Sequence, residues 1–178
     1  INMPVFNAMG NHDYTYYKTS ATVKTDENSS TINLLSQRSF ENVFGPINFS
    51  FDRGNVHFVC MKDIYFKSTS SWDAGSYTGG FTDEEYSWLV QDLQNTPKNM
   101  KVVLCVHIPI STSSGPKVSD VKSLLKSFTN SIVFSGHTHY QRTVYDGDRL
   151  YEQIHSAVCG QWWWSKIEGD GGPNGYTV

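Results

Sequence analysis

Two apolar runs separated by an amphipathic segment constrain this chain more than any other feature. Residues 101–106 and 132–135 read as buried strands, and between them Val121, Leu124, Leu125 and Phe128 recur at helical spacing behind Ser119 as N-cap. A helix between two continuous apolar strands is the pattern of a parallel crossover. Part of the sheet is therefore expected to be parallel or mixed, with helices covering its faces.

Other segments attach to this frame. Thr82-Asp83-Glu84-Glu85 is a capping box, and Tyr86, Leu89, Val90 and Leu93 follow at i, i+3, i+4 and i+7 until Pro97 stops the helix. Residues 48–52 and 55–62 alternate around Arg53-Gly54, and 141–145 and 150–154 flank Asp146-Gly147, so each pair predicts an antiparallel hairpin. A short buried strand is expected at 3–9, opened by Pro4. Residues 19–39, rich in Thr, Ser and Asn, show no clear period and read as an excursion. There is no internal repeat, heptad or low-complexity tract.

Composition narrows the function classes. In 178 residues, 38% hydrophobic and 17% charged with net charge −3, disorder driven by charge repulsion is not expected and a sizeable core is. With 14 Lys and Arg against 17 Asp and Glu there is no global basic field, which argues against a sequence-specific or general nucleic-acid binder held by phosphate contacts. The longest apolar runs fall far short of the roughly 20 residues of a membrane span. Cys60, Cys105 and Cys159 are odd in number and widely spaced, so free thiols are expected. An exported and a cytoplasmic location both remain compatible.

The chemistry-bearing residues gather at strand ends. His12 follows the first expected strand, His107 the run 101–106, and His137 and His139 the run 132–135. In open sheets with helical crossovers, residues just beyond the carboxyl ends of strands line the ligand crevice, so these segments can converge. Gly10 and Gly136 precede two of the segments and suit tight turns near a ligand. Asn11 adds an amide oxygen to the imidazole nitrogens, a donor mixture suited to Mn, Fe, Zn or Ni rather than Ca or Mg.

Gly10-Asn11-His12-Asp13, then the isolated His107, then Gly136-His137-Thr138-His139, resembles the second half of the calcineurin-like metallophosphoesterase signature. The resemblance covers essentially the whole chain, and Gln161-Trp162-Trp163-Trp164 with Gly172-Pro173-Asn174-Gly175-Tyr176 is similar to a bacterial subgroup carrying a further C-terminal domain. It implies an α/β (α+β) fold, a four-layer sandwich of two mixed β-sheets flanked by helices, with a dinuclear metal centre and bridging hydroxide that hydrolyse a phosphoester. By the same likeness Asn11, His107 and His137 would ligate one divalent ion and His139 the other. His12 would contact the substrate phosphate and protonate the leaving group, and Asp13 would orient the His12 ring. The implied partner is a phosphorylated small molecule or a phosphodiester.

The signature begins with Asp-x-His and continues with Gly-Asp, which supply the remaining ligands. No Asp-x-His occurs in this sequence, and Gly147-Asp148 and Gly169-Asp170 come too late and read as turn residues. The expectation is an N-terminally truncated portion: 1–160 as the C-terminal part of the catalytic domain, and 161–178 leading toward a further domain. Two ions would then belong to the full-length protein, with at most one held weakly by this segment, which alone would hydrolyse little. The competing expectations are a non-catalytic binding module on the same fold and a mononuclear hydrolase using Asn11, His107 and His137.

The remaining polar and aromatic candidates receive structural readings. His57 and His155 are expected as structural residues, Asp63 as a turn residue, and Tyr14, Tyr140 and Arg142 as neighbours of the motifs rather than substrate contacts. The tryptophans at 162–164 are expected to pack against the next domain. Asn28 and Asn48 match the glycosylation acceptor pattern, which matters only in a secreted eukaryotic protein.

Overall fold

The fold is seen in a computed structural model that describes residues 4–14, 29–66 and 77–157. In chain order the elements are α1 (Ser29–Phe44), β1 (Asn48–Arg53), β2 (Val56–Met61), β3 (Ile64–Phe66), β4 (Tyr77–Gly79), α2 (Asp83–Gln94), β5 (Lys101–Cys105), α3 (Val118–Leu125), β6 (Asn130–His139), β7 (Arg142–Asp146) and β8 (Leu150–Ser156). Six strands form one mixed sheet in the order β1-β2-β5-β6-β8-β7, and β3 pairs with β4 in a small second sheet.

The crossover pattern is present as expected. β2 and β5 run parallel, with α2 between them in the chain, and β5 and β6 run parallel across α3. β6 and β8 are also parallel, whereas β1/β2 and β7/β8 are antiparallel hairpins at the two edges. The first turn falls on Gly54-Asn55, one residue later than expected, because Arg53 pairs with Val56 and Gly54 takes the positive φ of 60° the turn needs.

Apolar faces explain the layering. Leu89 and Leu93 of α2 and Val121 and Leu125 of α3 pack with Val59, Val102, Leu104 and Val133 of the sheet in one buried cluster that also holds Phe128. Each such side chain contributes about 1.5–3 kcal/mol on leaving water. At the start of α2, Thr82 Oγ1 accepts from Glu85 N–H at 3.1 Å and Glu85 Oε2 accepts from Thr82 N–H at 2.8 Å, so the capping box closes as read. The other oxygen, Glu85 Oε1, pairs with buried Lys62 Nζ at 2.9 Å, tying the helix to the end of β2.

Three expectations are corrected. Residues 4–10 form no strand: Phe6 stacks on Phe51 with centroids 4.3 Å apart, so the apolar character of the run places it on the sheet without giving it a ladder partner among the described strands. The excursion at 19–39 contains most of α1, a largely polar helix on which, among the described side chains, Ser36 and Phe40 are buried one turn apart. Residues 19–28 lie outside the described part. Ser119 is not an N-cap: α3 begins at buried Val118 behind Lys117, which sits at φ 60° with no side-chain cap bond.

Candidate metal centre

His107 sits just past β5, and its backbone is gripped by a buried carboxylate. Asp63, following β2, accepts from His107 N–H at 3.0 Å through Oδ1 and from Ile108 N–H at 3.1 and 2.9 Å through both oxygens. Burial pushes the Asp63 carboxyl up to about 7, against the pull of these amides. A second buried carboxylate holds the same loop further on. Glu152 of β8 accepts from Ile110 N–H at 2.9 Å, Ser111 N–H at 2.8 Å and the Ser135 hydroxyl at 2.7 Å. The loop carrying His107 is therefore fixed from β2 and from β8.

Asn11, His12 and Asp13 occupy one turn of 3₁₀ helix. Asp13 Oδ2 accepts from Gly10 N–H at 2.8 Å and Asp13 N–H donates to Gly10 O at 3.2 Å, which closes the turn. A Cβ on Gly10 would come 3.0 Å from His107 Nδ1, so a larger residue there would press on the ring. Gly136 has no such demand, since a Cβ there would meet only His155 O, at 3.9 Å.

Three segments now meet. His107 Nε2 lies 2.7 Å from Asn11 Oδ1 and 3.1 Å from His137 Nδ1. Three electronegative atoms at such separations repel unless a proton or a cation stands among them. Burial, with His137, His12 and His139 adding like charge, pushes the His107 imidazole down to about 4. Burial, then His139 and His12, lowers His137 as well. Both rings are thus neutral near neutral pH, the form that donates a lone pair to a metal.

His137 and His139 reach this region through an irregular strand end. The β6–β8 register shifts between Ser135 and His139, and both histidines adopt left-handed conformations with φ of 62° and 63°. This bulge turns His137 toward His107, with ring centroids 5.0 Å apart. Tyr77 closes another side. Its hydroxyl accepts from Asn11 Nδ2–H at 2.8 Å and its ring meets His137 edge-on at 6.1 Å.

Asn11, His107 and His137 are thus brought into contact. His12 is exposed beside them, and His12 and His139 lie within electrostatic reach of His107. Sequence reasoning missed three supporting residues. Asp63 is no turn residue but a buried anchor; Glu152 and Tyr77 carried no local signal, because each acts on residues some forty or more positions away. Tyr14 is buried in the small core with Met9, Phe40, Ile64 and Ile108, in keeping with its structural reading. Asn48 Oδ1 accepts from Lys62 N–H at 3.1 Å. Cys60 and Cys105 are free thiols facing each other across β2 and β5. Cys159, Trp162 to Trp164 and Asn28 lie outside the described residues.

A mixed α/β sheet thus brings two neutral imidazoles from the carboxyl ends of adjacent parallel strands against the Asn11 amide oxygen, in the region where open sheets of this kind take their ligands. The calcineurin-like phosphoesterase family model matches residues 1–141, and the chain belongs to that family. Comparison with curated proteins gives no match. Membership supports a hydrolase of phosphoesters, and the family typically depends on metal ions. β7 and β8, beyond the matched range, complete the same sheet.

Among the described residues no group of three or more His, Cys, Asp or Glu is arranged to hold a metal. The cluster instead takes its third donor from the Asn11 amide, and two neutral nitrogens with one oxygen suit a divalent transition ion. Among the described residues no helix is long and apolar enough to cross a membrane.

Proposed function

We propose that this chain carries one half of a dinuclear phosphoesterase centre, with Asn11 Oδ1, His107 Nε2 and His137 Nδ1 holding one divalent ion and His139 contributing to a second. The observation that carries the reading is the meeting of Asn11, His107 and His137 from three separate segments, at 2.7 and 3.1 Å. When bound, such ions would supply positive charge to the phosphoryl oxygens and acidify a water.

The chain's own residues do the rest. Asp63 and Glu152 hold the His107 loop so that its ring stays aimed at Asn11. In this reading His12, exposed beside the cluster, contacts a phosphoryl oxygen and passes a proton to the leaving alkoxide, and Asp13 closes the turn that presents it. The carboxylates of the second ion are not supplied by any Asp-x-His here, so in this reading they come from outside these 178 residues. The division into a catalytic portion at 1–160 and a segment at 161–178 leading to another domain belongs to the same proposal. The substrate class is a phosphomonoester or phosphodiester.

Titration of the 178-residue chain with Mn²⁺ or Co²⁺ tests this. One weak site is expected, lost in His107→Ala, with little turnover of an activated phosphodiester. A chain that takes up neither ion overturns the site, and robust turnover at stoichiometric metal overturns the division of the centre. The missing Asp-x-His favours a second reading, a module that binds phosphate without hydrolysis; a full-length protein that binds phosphate but hydrolyses no phosphoester would establish it.

A further inference from the structure

Tyr77 belongs to none of the motifs, yet it touches two of the three converging donors. Its hydroxyl accepts from Asn11 Nδ2–H at 2.8 Å, and its ring meets His137 edge-on, with centroids 6.1 Å apart at 70°. An asparagine carboxamide has two chemically different ends on a soft torsion, and only its oxygen can serve a cation. What holds the nitrogen end therefore decides what the oxygen end faces. Here Oδ1 faces His107 Nε2 at 2.7 Å while the nitrogen is occupied by the phenol oxygen.

The tyrosine is itself held. It opens β4, where it pairs with Phe66 of β3. The far end of β4 is tied down at Gly80, whose N–H donates to Asp63 O at 2.9 Å. The next amide, Phe81 N–H, donates to Pro116 O at 2.9 Å. The strand also lies tightly on the loop after His107: a Cβ on Gly79 would sit 2.8 Å from Ile108 Cγ2, and one on Gly115 would meet Gly79 O at a still closer approach. Asp63 thus anchors both the His107 peptide and the strand presenting Tyr77, so the phenol and the imidazole share one support.

We infer that Tyr77 is a positioning residue of the metal centre, its hydroxyl holding the Asn11 carboxamide with Oδ1 toward His107 and its ring setting the tilt of His137. The inference rests on the reading of Asn11, His107 and His137 as ligands. With a cation on Oδ1 the amide becomes a stronger N–H donor, and the phenol oxygen is the acceptor that satisfies it. Outer partners of this kind govern metal affinity without touching the ion.

The test compares the wild-type chain with Tyr77→Phe, which keeps the ring against His137 and removes only the hydroxyl, and with Tyr77→Leu, which removes both contacts. Mn²⁺ and Co²⁺ affinities are measured by calorimetry, the Co²⁺ visible bands are recorded, and metal-free thermal unfolding is followed. Tyr77→Phe is expected to weaken binding about tenfold and Tyr77→Leu further, within the roughly 10- to 100-fold range of outer-partner substitutions. The Co²⁺ bands should shift, and the metal-free Tm of Tyr77→Phe should match wild type. Affinities within twofold, with unchanged bands, overturn the role of Tyr77 while leaving the ligand reading intact. A parallel fall in metal-free Tm also overturns it, because packing would then account for the loss. Absence of Mn²⁺ and Co²⁺ binding in wild type overturns the ligand reading and this inference together.

Discussion

Asp63 spends both carboxylate oxygens on the peptide that carries His107, accepting from the amides of His107 and Ile108 at 2.9 to 3.1 Å. The carboxylate is fully buried, so nothing else can satisfy those amides if it is removed. Each unsatisfied buried amide costs about 1–3 kcal/mol, so Asp63→Ala should lose roughly 2–5 kcal/mol in urea unfolding. Asp63→Asn keeps one acceptor oxygen and should lose less. An Asp63→Ala chain as stable as wild type would show that the loop is fixed by other contacts.

The pair formed by Lys62 and Glu85 offers a different kind of test, because Glu85 serves two partners at once. Lys62→Met strands the Glu85 charge in the core and is expected to cost about 3–5 kcal/mol. Adding Glu85→Gln removes the stranded charge while leaving an oxygen for Thr82 N–H, so the double variant should be more stable than Lys62→Met alone. Additive losses in a double-mutant unfolding cycle would refute this coupling.

His57, expected as a structural residue, sits between two carboxylates, with Nδ1 2.6 Å from Asp52 Oδ1 and Nε2 2.8 Å from Asp92 Oδ2. Burial opposes its protonation, but the hydrogen bonds and charges of Asp92 and Asp52 outweigh it and raise the pKa above its ordinary 6.5. A raised folded-state pKa contributes stability fully present below the unfolded value and lost as pH rises through the folded value. Melting curves between pH 6 and pH 9 should therefore show His57 stabilising the fold at the acid end. His57→Gln should lose this dependence, and identical pH profiles for the two proteins would exclude it.

How much of this was legible in the sequence depended on distance along the chain. The capping box of Thr82 and Glu85, the stripes of α2 and α3 and the two hairpins are set by residues a few positions apart, so spacing alone revealed them. Asn11, His107 and His137 could be proposed together because the histidines follow apolar runs that end at one edge of a sheet and because the motifs around all three resemble the family signature. Asp63, Glu152 and Tyr77 escaped because they act on residues 44, 42 and 66 positions away. α1 escaped for another reason: its buried side, with Ser36 and Phe40, is too sparsely apolar to raise a periodic signal. Residues 4–10 show the converse error, in which apolar character was read as a strand although hydrophobicity alone does not supply a pairing partner.

The contact between Asn11 and His107 joins residues 96 positions apart. Closing so long a loop costs entropy that no local structure repays, so the β1–β2 hairpin and the helices can form long before it. The Asn11 contact is therefore expected to form after those local elements. A partly folded chain that held its sheet would already bring His107 and His137 together at the ends of adjacent strands and would lack the Asn11 oxygen. In the proposed centre, full coordination of an ion would accordingly wait for the Asn11 turn to dock.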